Sequence, residues 1–180
     1  MKRLSLLFTM LLVTLAGSSA FAQFNQKQLV AEWQRAKAYT KEYLDAMPED
    51  GYAFKPTPEI RSFAQQMLHL ADANYLFSSM GSGKPSPLGQ TLAKHDVLQK
   101  TSAETKEAVS KAVMDSYDFV ITVLQGIPAD QWQETIKFGK GDITRAGLFG
   151  KAFEHQTHHR GQTTIYLRLK GVTPPGEKLF

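Results

Sequence analysis

Four stretches of this chain, each about twenty residues long, repeat apolar side chains at spacings of three and four, and proline or glycine closes every one of them. Such stretches are amphipathic helices, and each must bury its apolar stripe against another element. Within one domain that requirement leads to an all-α helical bundle.

The first stripe runs Leu29, Trp33, Ala36, Thr40, Tyr43 or Leu44, and Met47, with Asn25 as its N-cap and Pro48 and Gly51 as its stop. The second helix is expected from Pro58 to about Met80, because Thr57-Pro58-Glu59 offers a cap, a proline at the first helical position and an acid in the first turn. Its main stripe is Ile60, Phe63, Ala64, Met67, Leu70, Ala71 and Asn74. The loop Gly81-Ser82-Gly83-Lys84-Pro85-Ser86-Pro87 follows, and Leu88 to Lys100 reads as ambiguous, with room for one short helix. Thr101 and Glu104 resemble a capping box for a third helix, whose stripe Val109, Ala112, Val113, Ser116, Val120, Val123 and Ile127 ends before Pro128. Glu134 to Phe138, followed by Gly139-Lys140-Gly141-Asp142, predicts a short strand and turn. Thr144 then caps a last long helix that reaches Lys170 and stops at Gly171.

The N-terminus is read differently. Lys2 and Arg3 precede an apolar run from Leu4 to Ala16 and the small-residue ending Ala20-Phe21-Ala22, which is the order of a cleavable secretory signal. The run is shorter than the roughly 20 residues a membrane-spanning helix needs. Residues 1–22 are therefore expected to be a signal peptide and residues 23–180 one domain, exported to the periplasm or secreted, with no stable membrane anchor after cleavage. Cysteine is absent, which excludes disulfides, thiolate ligands, a cysteine nucleophile and a lipid-modified leader. Two of the 21 Lys and Arg but none of the 17 Asp and Glu lie in the leader, so the remaining charge is close to balanced. With no basic tract, nucleic acid is not an expected partner.

Three histidines carry the chemistry. On the last helix Leu148, Ala152, His155, His159, Gln162 and Tyr166 fall within a sector of roughly 80°, so two histidines interrupt the centre of the inward stripe. An i, i+4 pair stands at roughly 6 Å between Cβ atoms, a spacing at which two imidazoles share a cation. Taken alone, the pair is equally well explained by two histidines satisfying each other or a buried carboxylate. His158 lies about 80° from the midpoint of the pair and reads as a flanking or surface residue. Glu154 points about 120° away, leaving no carboxylate on the histidine face. His69 lies nearly opposite the centre of its helix's main stripe, yet Ala73, Leu76 and Met80 share its side, so that half of the helix is expected to be covered on two faces. Asp72 reads as an outer-shell acceptor or as surface, and His95 receives no role.

The phrase Lys55-Pro56-Thr57-Pro58-Glu59-Ile60-Arg61-Ser62-Phe63, then Met67-Leu68-His69-Leu70-Ala71-Asp72-Ala73-Asn74, and finally His155-Gln156-Thr157-His158-His159-Arg160-Gly161-Gln162 resemble the DinB family of metal-dependent proteins. The resemblance covers nearly all of residues 23–180. It implies an up-down-down-up four-helix bundle, with the strand-like insertion before the last helix, and a three-histidine site whose ligands fall on His69, His155 and His159. It also implies one divalent ion, zinc or nickel first, with iron, manganese or copper as alternatives. Gly161 would permit close helix approach and Gln162 would reach a water or substrate at the ion; a packing glycine and a backbone-satisfied glutamine are the competing roles.

Three protein ligands leave a coordination position open, as catalytic sites do. The expected function is a metal-dependent enzyme of hydrolase or thiol S-transferase type acting on a small molecule. A secretory signal argues against the thiol version, since reduced thiol cofactors are chiefly cytosolic. The alternative is a non-catalytic extracytoplasmic metal-binding or stress-response protein using the same histidines. A second copy of the chain, in a homodimer, is the one macromolecular partner envisaged.

Overall fold

The structure, a computed structural model, describes residues 26–180; the expected signal peptide and the expected Asn25 cap lie outside the described residues. Helix α1 covers residues 26–46 and buries Trp33, Ala36, Thr40, Tyr43 and Leu44, the stripe expected of it. Pro48 follows, and a 3-10 turn at Glu49–Gly51 leads to Tyr52, whose hydroxyl donates to the Leu44 carbonyl at 2.8 Å.

Helix α2 runs Phe63–Ser82, five residues later than Pro58 suggests. Ser62 is its N-cap: the Ser62 hydroxyl accepts from the Gln65 amide at 3.0 Å and the Gln65 side chain accepts from the Ser62 amide at 3.1 Å. The reason for the late start is tertiary. The amides of Phe63 and Ala64 donate to the carbonyls of Phe54 and Tyr52, so the first-turn donors that no helix can satisfy internally are met by the preceding segment. Glu104 completes the cap, accepting from the Ser62 hydroxyl and the Gln65 side-chain amide, both at 2.8 Å. A carboxylate there also complements the positive end of the helix.

Glu104 is thus not part of a capping box with Thr101. Thr101 ends a short helix, α3, at Leu98–Thr101, and helix α4 (Lys106–Gln125) is capped by Thr105 through the Ala108 amide. The α4 stripe is otherwise as expected, with Val109, Val113, Ser116, Val120 and Val123 buried and Tyr117 added to them. Strands β1 (Thr135–Phe138) and β2 (Gly141–Thr144) pair antiparallel, Thr135 opposite Thr144 and Phe138 opposite Gly141. Gly139, at φ 63°, takes the first position of the two-residue turn, where a side chain would be strained. Helix α5 runs Arg145–Leu169, opened by the Thr144 hydroxyl accepting from Gly147 and closed at Gly171 with φ 73°.

The long helices α1, α2, α4 and α5 form the four-helix bundle. Helix α2 packs against both α4 and α5, and its buried residues lie on nearly every side of it. The hairpin and α3 are additions at the edges. Asp72, 1 % exposed, accepts from the backbone amides of Val97, Leu98 and Gln99 at 2.9 to 3.2 Å. It is therefore neither an outer-shell acceptor nor a surface residue; it pins the start of α3 to α2.

Candidate metal centre

Helix α2 carries His69 to the face of α5 that bears His155 and His159. Their ring centroids stand 5.3 Å (His69 to His155), 4.6 Å (His69 to His159) and 4.3 Å (His155 to His159) apart. One nitrogen from each ring lies within 4.8 Å of the other two, a group able to hold a metal ion. The double coverage of α2 explains why His69 is inside although its helical phase opposes the main stripe. Its second side is closed by α5 and by the segment around Asp96.

Each imidazole sits among groups that keep it neutral. Burial, followed by the charges of His69, His158 and Arg61, lowers His155 to about 4. Burial, followed by the charges of His155, His69, His158 and Arg61, lowers His159 to about 3. His69 is also lowered, by burial first and the Arg61 charge second, against an opposing pull from Asp96. Neutral imidazole is the form that binds metals.

The second nitrogens are occupied unequally. Asp96 Oδ1 lies 3.4 Å from His69 Nδ1, and Arg61 Nη2 3.5 Å from the same atom. Gln66 stands 2.7 Å from His159 Nδ1 and also bonds Gln162, whose amide reaches His158 Nε2 at 2.9 Å. His155 Nδ1 is buried and, among the described residues, has no hydrogen-bond partner. An orphaned buried nitrogen is costly, and a shared cation is one way to satisfy the cluster. The donor set of three imidazoles without thiolates suits zinc, nickel, copper or iron.

Asp96 and Gln66 had no signal in the sequence. Asp96 lies in an irregular segment where no periodicity applies, and Gln66 reads as an ordinary polar residue near a helix start. Elsewhere the expectations divide. Glu154 is exposed and paired with Lys151, and His158 is exposed with its ring against His159. His95 is exposed, hydrogen-bonded to the Leu92 carbonyl. Gln162 is close to the cluster but reaches it through Gln66. Gly161 permits no close approach, since a Cβ there would meet nothing within 4 Å.

Two surfaces adjoin the centre. Phe77 places its ring 5.6 Å from that of His155 and stacks on Phe138 of β1, so the hairpin supplies an aromatic wall. Next to Arg61 and Gln66 opens a groove of about 720 Å³, lined also by Ile60, Gln162, Ile165 and Tyr166. None of the three histidines lines that groove; Gln66 stands between it and His159.

Comparison with known proteins places this geometry in context. The model of the DinB family matches residues 20–179. The uncharacterized protein YjoA of Bacillus subtilis is 23 % identical over 151 residues, covering 81 % of this chain and 91 % of the relative. YrdA of the same organism is 29 % identical over 96 residues, 49 % of this chain and 58 % of its own. Among solved structures, a DinB-like protein from Bacillus cereus superposes with a TM-score of 0.73 at 16 % identity, covering 84 % of this chain and 97 % of that one. The crystal structure of YjoA gives 0.66 at 19 % identity, covering 83 % and 96 %. At such identities the structures bear on the fold.

Proposed function

The chain belongs to the DinB family, and from that premise we propose that it is an exported protein holding one divalent cation, zinc or nickel, on His69, His155 and His159. The observation that carries the reading is the convergence of three neutral imidazoles from two helices, with a buried nitrogen of His155 left without a partner. When bound, a cation on three protein ligands supplies Lewis acidity to a coordinated water or thiol. The function favoured is accordingly a metal-dependent hydrolase or thiol S-transferase acting on a small molecule.

The protein's own groups do the orienting. The Asp96 carboxylate accepts from His69 Nδ1–H, which leaves the His69 Nε2 lone pair directed at the cluster. Gln66 is beside His159 Nδ1, so Nε2 is the free nitrogen of that ring too. With His159 ligating through Nε2, its Nδ1 would carry the proton, and the Gln66 amide, whose nitrogen stands 2.7 Å from that atom, would turn its oxygen towards it. Gln162 would then donate to the same oxygen and accept from His158. Phe77 and Phe138 keep water from one side, while the groove by Arg61 and Gln162 is the entrance for a substrate.

One observation favours a second reading, a non-catalytic extracytoplasmic metal-binding or stress-response protein: the histidines are screened from the groove by Gln66. Elemental analysis of protein from its native compartment, with N-terminal sequencing, tests both readings at their common root. One equivalent of metal, lost in His69→Ala, His155→Ala and His159→Ala, and a mature terminus at residue 23 are expected. A variant that keeps full metal affinity removes its residue from the site. Turnover of a small-molecule panel by the loaded protein, abolished in the same variants, separates the enzyme from the binding protein.

A further inference from the structure

On the flank of α5 opposite the histidines, Thr157, Arg160, Gly161, Thr164 and Arg168 form a second stripe, about 180° from the midpoint of His155 and His159. This stripe faces α1 and the C-terminal tail across a cavity of about 600 Å³, within the range of about 300 to 1,000 Å³ typical of small-molecule sites.

Arg160 is the unusual residue. It is 6 % exposed, yet among the described residues no carboxylate lies within ion-pair distance of it. A charge that far from water is normally paired. Its Nη1 donates to Gln156 Oε1 at 2.9 Å and to Thr40 Oγ1 at 3.5 Å, and its guanidinium lies 4.5 Å over the Tyr39 ring. Nε and Nη2 make no hydrogen bond to the described residues, although the side chain lines the cavity. A planar guanidinium edge with free donors, set over an aromatic ring, is a group that takes a carboxylate in two parallel hydrogen bonds.

The surroundings agree with that ligand. Arg35 is matched by Glu32 and Lys178 by Glu42, which leaves Arg160 and Arg168 against Glu177, a net positive charge in the cavity. Tyr43 and Thr164, joined by a 3.1 Å hydrogen bond, add hydroxyls. Phe153, Pro174 and Pro175 supply apolar wall. The tail that roofs the cavity is tied down by the Arg35 bond to the Lys178 carbonyl and by the Lys178 to Glu42 pair.

We propose that this cavity is a second ligand site, separate from the histidine cluster, and that it binds a small organic carboxylate with an apolar body. Arg160 would grip the carboxylate, Arg168 would add charge at the rim, and the proline-bearing tail would close over the apolar end.

Isothermal titration of the full chain with benzoate, acetate and inorganic phosphate tests this. One saturable site for benzoate is expected, with acetate weaker for want of an apolar body. Arg160→Lys keeps the charge but loses the flat edge, and should weaken benzoate about tenfold or more, as loss of a charged hydrogen bond does. Should that variant not fold, Arg168→Gln, at an exposed position, should still weaken binding several-fold, and Glu177→Gln should strengthen it. His69→Ala should leave benzoate affinity unchanged, which separates this site from the metal reading. Absence of benzoate binding, equal affinity in Arg168→Gln, or a preference for phosphate over benzoate would overturn the proposal.

Discussion

Asp96 Oδ1 and His69 Nδ1 approach to 3.4 Å across two segments that are distant in the chain and held together by a third residue, Asp72, which fixes the amides of residues 97–99. The carboxylate therefore reaches the histidine cluster because a different, fully buried carboxylate anchors the loop that bears it. Orientation of a histidine by a carboxylate is a common support for metal binding, and it gives the centre a dependence on residues that never touch an ion.

Asp96→Asn is expected to weaken zinc or nickel binding by about 10- to 100-fold while leaving helical content unchanged. Competition with a chromophoric chelator measures the affinity, and circular dichroism checks the fold. An affinity equal to that of the parent protein would show that His69 needs no carboxylate.

Asp72→Ala strips three backbone amides of their acceptor and should cost about 1 to 3 kcal/mol in urea unfolding. Hydrogen exchange at residues 97–99 should accelerate more than exchange in α4. If those amides stayed protected, another acceptor would have to anchor α3.

Metal removal should lower the melting temperature. A ligand present at about 100 times its dissociation constant stabilises the folded state by about 2.7 kcal/mol, worth about 5 to 11 °C for a domain of this size class. The shift on adding zinc or nickel to chelator-treated protein should disappear in His159→Ala. Scanning calorimetry of the two proteins, each with and without metal, decides it.

Acid should destabilise the metal-free protein through His155 and His159, whose values in the fold are about 4 and about 3 against 6.5 for an unperturbed imidazole. Below 6.5 the unfolded chain takes up protons that the buried rings refuse. The unfolded state then binds more protons, so stability is complete above pH 6.5 and declines as pH falls towards 4 and then 3. Urea midpoints at pH 7 and pH 5, before most carboxylates titrate, should show this drop, and a smaller one in His159→Gln.

Gly161→Ala should stabilise by about 0.5 to 1 kcal/mol, because the glycine sits inside α5 with open space where a Cβ would be. Loss of stability on chemical denaturation would reveal a packing role that the geometry lacks.

Whereas β2 takes up Gly141 and Asp142, which read as turn, the four long helices, the first strand with a glycine turn after it, the Thr144 cap and the His155 and His159 pair were all legible in the sequence. Each depends on neighbours within a few residues, and helical or strand period expresses that dependence directly. The late start of α2 at Phe63 was not legible, because it is set by the carbonyls of Tyr52 and Phe54 and by Glu104, forty residues further on. His69 was placed mainly by family resemblance, since its phase on α2 opposes the main apolar stripe and only Ala73, Leu76 and Met80 on its side hinted at a second covered face. Only the packing of α2 between α4 and α5 turns that side inward. Asp96 and Gln66 were invisible for the same cause: hydrogen bonds between segments far apart in the chain leave no period to read. Local periodicity thus determined the helices and two of the three histidines, while burial of α2 on both faces decided where the third one points and what holds it there.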